Sequence, residues 1–195
     1  MESLIQYSGY FVVALCAIGT LLYKRYKFLG REKLIQQIQL EKTPYLGLRK
    51  LALEMTPTQL GIDVEHGKYI VYGIIYDLGL PDICMTIAAY KTGDASLYTS
   101  LGGGILGGIK QEKIRNAVNG FIECGQTLVS YGIQVTNIDQ LPKNGYANFY
   151  FLTSDGTCLL TEQIKNLEHG SSPFTSLFTQ GDNLINQLRM DINID

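Results

Sequence analysis

The residues with the most chemical promise are glycines. Gly102, Gly104 and Gly107 fit the spacing G-x-G-x-x-G, and Lys110 follows closely. Backbone amides freed by glycine ahead of a helix can hold an anion, which makes this run a candidate phosphate or nucleotide site. A dinucleotide fold, however, needs a parallel strand and an acidic residue after the helix, and here the glycines follow what reads as an antiparallel meander. A Walker loop needs Gly-Lys-Ser or Gly-Lys-Thr, where this chain has Gly108-Ile109-Lys110-Gln111. The plainer reading is a close-packed strand-to-helix turn carrying Ile105 and Leu106 toward a core or a partner.

Other groups offer less. Asp77, Asp82, Asp94 and Asp155 stand near Gly or Pro or in turn sequences, where Asp caps backbone amides, so their expected role is structural. A Ser, Thr or Cys nucleophile needs a histidine base, and His66 and His169 both sit beside glycine in connecting segments. Cys16, Cys84, Cys124 and Cys158 form no C-x-x-C pair, so free thiols are expected rather than a zinc site or a disulfide scaffold. No catalytic residue, metal or cofactor is assigned from these patterns.

The elements that must position such residues begin with an uncharged stretch. Residues 4–23 read LIQYSGYFVVALCAIGTLLY, long enough as a helix to cross a hydrocarbon core of about 30 Å. Phe11, Val12, Leu15, Ile18, Leu21 and Leu22 are its apolar body, and Lys24, Arg25 and Lys27 its basic stop. A secretory signal carries its positive charge before the apolar run, and here the order is reversed. The positive-inside rule then predicts a single-pass anchor with the N-terminus outside and the rest cytoplasmic. Residues 24–50 hold eight basic residues against two acidic ones, a net +6, whereas residues 51–195 carry −7. An acidic body without clustered cations excludes a phosphate-backbone binder, so no nucleic acid is expected.

Domain organisation follows as an anchor at 1–27, a helical connector at 28–66 and an α/β domain at 67–195. Within the connector, Thr43-Pro44 and Thr56-Pro57 both read as helix starts, with threonine as the cap and proline at the first helical position. Strands are predicted from Lys68 to Leu80, at 84–90 and at 95–101, then a helix at 110–131. A hairpin at 146–162 and a last helix at about 173–189, broken near Gly181, complete the domain. Gly120 and Gly125 inside the long helix each cost about 1 kcal/mol relative to alanine, which predicts close packing of that face onto the sheet. The result is an α+β domain whose five-stranded, mainly antiparallel sheet has flanking helices.

This order resembles the profilin-like and roadblock-like folds, whose members are commonly scaffolds, adaptors and regulators. A second resemblance rests on the glycine run at 102–108, Leu141-Pro142-Lys143 ahead of Phe149-Tyr150, and Asp155-Gly156. It continues through Ser172-Pro173, Leu177-Phe178 and the stretch from Ile185 to Arg189. Over roughly residues 69–190 these are similar to a set of uncharacterised bacterial membrane-anchored proteins, which implies a bacterial source and no particular chemistry.

Thirteen tyrosines, several of them in the first predicted strand, suit either a protein interface or the covering of a sheet face. The expectation is therefore a non-catalytic, membrane-tethered interaction or scaffold module on the cytoplasmic face. It would hold membrane lipid through its N-terminal helix and self-associate or dock on a protein partner. The competing expectation is a ligand- or nucleotide-binding sensor or enzyme built on the glycine run.

Overall fold

A computed structural model describes residues 44–65, 67–106 and 111–192. The anchor residues Phe11, Val12, Leu15, Ile18, Leu21, Leu22, Lys24, Arg25 and Lys27, together with His66, Gly107 and Lys110, lie outside the described residues. Among the described residues no helix is long and apolar enough to cross a membrane.

Helix α1 (Pro44–Leu53) and the single turn α2 (Pro57–Leu60) precede the first strand. Both carry the expected proline at their start, and Thr56 and Gln59 close a reciprocal capping box. Then come β1 (Val71–Leu80), β2 (Ile83–Tyr90), β3 (Ala95–Thr99) and β4 (Gly104–Leu106). Helix α3 (Glu112–Leu128) ends in a 3₁₀ turn at Val129–Tyr131 and is followed by β5 (Ile133–Val135). Strands β6 (Tyr146–Thr153) and β7 (Gly156–Gln163), the short α4 (Ile164–Glu168) and α5 (Thr175–Ile192) complete the domain.

The strands form one antiparallel sheet in the order β4-β3-β2-β1-β6-β7-β5. This corrects the expected five-stranded, profilin-like or roadblock-like arrangement, since the sheet has seven strands. The two additions, β4 and β5, are three-residue strands at the outer edges, too short to show a period in sequence. The last helix is also corrected. It runs through Gly181 without a break because that glycine admits the ring of Tyr76, whose Cε1 lies 2.7 Å from where a Cβ would stand.

Strand β1 lies at the centre, covered on both faces, which is why its sequence is almost continuously apolar instead of alternating. On the first face Ile74, Tyr76, Leu78, Ile87, Phe149 and Phe151 meet α3 and α5 in the larger core. The glycine prediction holds for Gly125, where an added Cβ would overlap Ile74 of the sheet. Gly120 instead faces Gln180 of α5. On the second face Tyr72, Ile75, Ala88, Tyr90, Tyr150 and Leu152 form a smaller core beneath Tyr45, Ala52 and Leu53 of α1.

Candidate functional site

The second face carries a row of polar residues in register. Tyr98, Thr86, Asp77, Asn148 and Thr161 are successive cross-strand neighbours on β3, β2, β1, β6 and β7. At its centre Asp77 is fully buried in the middle of β1. Its predicted role as a turn residue is corrected: it is half of a buried ion pair with Arg49 of α1, which is 2% exposed. Asp82, Asp94 and Asp155 do occupy turns, Asp82 with a φ of 60°.

Arg49 distributes its donors over three acceptors on two segments. Nε and Nη2 reach Asp77 Oδ2 at 2.9 and 2.8 Å, Nη1 reaches the Ile138 carbonyl at 2.8 Å, and Nη2 also reaches the Gln140 carbonyl at 3.2 Å. Its guanidinium carbon stands 5.2 Å from the centre of the Tyr150 ring, and the Tyr150 hydroxyl donates to the same Gln140 carbonyl at 2.6 Å. Planar donors in a fixed fork make Arg, rather than Lys, the residue that can do this.

The other carboxylate oxygen accepts from Thr86 Oγ1 at 2.5 Å. A threonine hydroxyl has one hydrogen, so the Tyr45 hydroxyl, 2.8 Å from Thr86 Oγ1, must be the donor in that bond. A directed chain from Tyr45 through Thr86 to Asp77 results. Two more tyrosines finish the seat of the helix, as the Tyr90 hydroxyl donates to the Ala52 carbonyl at 2.9 Å and Tyr72 to the Met55 carbonyl at 3.0 Å. The first is a carbonyl that the end of a helix leaves unpaired, and the second lies two residues beyond that end. The tyrosines thus face inward and fasten α1.

Burial pushes the Asp77 carboxyl above its usual range, and Arg49 and the Thr86 hydroxyl pull against that rise. Burial also works against the Arg49 charge, but Asp77 outweighs it and the guanidinium is held charged. Every bond made to Asp77 comes from an internal group, so the cluster can hold charge and shape but offers no reacting atom to a substrate.

Beside this cluster lies a pocket of about 250 Å³. Gln140, Leu141, Pro142 and Lys143 form its wall, and Tyr146, Asn148, Leu159 and Thr161 its floor. Asn148 and Thr161 are the end of the polar row, joined by a 2.8 Å bond from Thr161 Oγ1 to Asn148 Oδ1. Lys143 is the one charged residue in the lining, so the pocket suits a small group that is apolar on one side and anionic on the other. Next to it Ile133, 74% exposed, is the cross-strand neighbour of Leu159.

The glycine run is placed differently from the expected strand-to-helix loop. Gly102 and Gly103 have φ of 93° and 78° and turn the chain between β3 and β4, while Gly104 lies so close to β3 that a Cβ would overlap the Leu97 carbonyl. Gly102 and Gly104 are therefore hairpin glycines. Among the described residues no group of three His, Cys, Asp or Glu side chains comes together as a metal site, and Cys84, Cys124 and Cys158 are free thiols.

Sequence reasoning missed Arg49 and Asp77. The signal was available, because Tyr45, Arg49, Ala52 and Leu53 share one stripe of α1, and Asp77 is a single acid among ten strand residues. An opposite charge in each of two apolar patterns is what a buried pair looks like before folding. Compared with protein-family models, curated proteins and solved structures, the chain matches none of them.

Proposed function

We infer that this protein is a non-catalytic interaction module, tethered to a membrane by its N-terminal segment and presenting its domain to a protein partner or a second copy on the cytoplasmic side. The tether rests on the uncharged run at 4–23 and the cations that follow it. One observation carries the interaction reading. Ile133 at 74% exposure and Leu141 at 37% flank Leu159 on the second face, making an apolar strip where α1 gives no cover. Exposed apolar surface of this kind, next to a pocket and a sheet edge, is characteristic of contact surfaces. The buried Arg49–Asp77 pair supports the same reading, since its hydrogen bonds all serve to hold the fold.

The test is chemical crosslinking of the full chain in native membranes, parent against Ile133→Lys. The parent is expected to give a specific protein adduct that the variant loses. Absence of any adduct, or an adduct indifferent to the substitution, defeats the reading.

A further inference from the structure

The wall of the pocket has little backbone structure of its own. Residues 136–145 are ten positions without helix or strand, and the fold holds them from outside. At one end the Gly145 amide donates to the Gly79 carbonyl at 2.8 Å, and Gly79 lies so close that a Cβ would overlap the Lys143 carbonyl. In the middle, the Ile138 and Gln140 carbonyls receive hydrogen bonds from the side chains of Arg49 and Tyr150. Buried or half-buried carbonyls need such donors, and without them the segment gains more from water.

Arg49 can serve those carbonyls only while α1 lies on the sheet. That position is set by the bonds from Tyr45, Tyr72 and Tyr90 and by the ion pair with Asp77. We propose that α1 is a strap that builds the neighbouring pocket: its docking, through Arg49, orders residues 137–143, and its release dissolves the pocket wall while the sheet floor stays intact. Strap and wall are then one cooperative unit, and any event that pulls on α1 changes the pocket. By linkage, whatever occupies the pocket tightens α1 to the same extent. The contacts behind this proposal all lie within the domain, so it stands whether or not the chain is tethered.

Hydrogen–deuterium exchange on the full chain tests it. The double variant Tyr72→Phe/Tyr90→Phe removes one hydroxyl that holds the last turn of α1 and one that holds Met55 just after it, and touches nothing in residues 137–143. Two hydrogen bonds of ordinary strength correspond to roughly a thirtyfold rise in local opening. Within residues 137–143 the Asp139 amide, which donates to Asn137 Oδ1, is expected to exchange roughly thirtyfold faster, together with the amides of α1, while Phe149 and Phe151 in β6 keep the parent rate. Faster exchange confined to α1 overturns the proposal. So does an equal rise across β6, which would make the order of the wall a property of the whole fold. In the reverse direction, Tyr150→Phe loosens the wall and is expected to speed exchange in α1. Unchanged α1 rates in that variant also overturn the coupling.

Discussion

The two faces of the sheet are held by different physics. On the first, α3 and α5 lie on a continuous apolar layer in which Tyr76 stacks on Phe149 at 4.5 Å between ring centres. On the second, a ten-residue helix covers a smaller core and is fastened by an ion pair and tyrosine hydroxyls. Dispersion and burial are non-directional, so the first face tolerates imperfect alignment. Charge and hydrogen bonds are directional, and they define one position for α1 at the cost of dehydrating Arg49 and Asp77. A helix too short to bury much area is placed by geometry instead.

Removing Arg49 should break this contrast most severely. Arg49→Ala leaves a fully buried carboxylate without its counter-charge, and such losses run to about 3–5 kcal/mol. Chemical denaturation of the parent and variant measures it. Replacing both partners, as Arg49→Met/Asp77→Leu, removes the stranded charge and should recover most of the loss. The deficit has a pH signature. Burial raises the folded carboxyl of Asp77 above its unfolded value, and the rise is larger once Arg49 is gone. The folded state then holds a proton that the unfolded state has released, so stability falls as pH rises through that window. The Arg49→Ala deficit should accordingly shrink in acid. A deficit under about 1 kcal/mol, or one that grows in acid, would show that the pair does not hold this face.

How far the fold could be read from sequence follows the same division. Long elements with an apolar period were legible, as in the α3 residues Ile114, Val118, Phe121 and Ile122, all of which are buried. Edge strands of three residues were not, because a period of two needs more positions than β4 or β5 provides. The glycines of 102–104 were legible as a special backbone, though not as a hairpin, since the same residues serve a phosphate loop and a tight turn. Arg49 and Asp77 stand 28 residues apart, and their meeting depends on α1 folding back over β1. No local pattern encodes that return.

A single kind of substitution sharpens the comparison, because removing a tyrosine hydroxyl should have opposite signs on the two faces. The Tyr90 hydroxyl is bonded to the Ala52 carbonyl, so Tyr90→Phe should cost about 1 kcal/mol. The Tyr76 hydroxyl is buried in the first face and finds no partner among the described residues. Tyr76→Phe removes a dehydrated polar group while keeping the ring stack, and should stabilise by about 1 kcal/mol. Thermal unfolding of the two variants reads the signs directly. If both substitutions destabilise, the Tyr76 hydroxyl has a partner and the first face is not purely apolar in its logic.

The smallest effect concerns a carboxylate on the first face. Glu162, at the end of β7, accepts from its neighbour's Gln163 amide at 2.7 Å, from Asn166 Nδ2 at 3.0 Å and from Ser172 Oγ at 3.1 Å, joining β7 and α4 to the turn before α5. Burial is the largest single influence and pushes its carboxyl up, but the three donors together outweigh it and hold the group below its usual range. The sign is therefore opposite to that at Asp77. Its stabilising contribution is fully present above the unfolded carboxyl value and is lost as pH falls through the folded one. Because the group is only partly buried, solvent screening limits the gain to about a few tenths of a kcal/mol. Glu162→Gln should flatten the acid limb of the stability curve by that amount, whereas Asp77→Asn should flatten a slope of the other sign. Equal slopes in both variants would mean that hydrogen-bond donors and burial do not divide the two acids as their surroundings require.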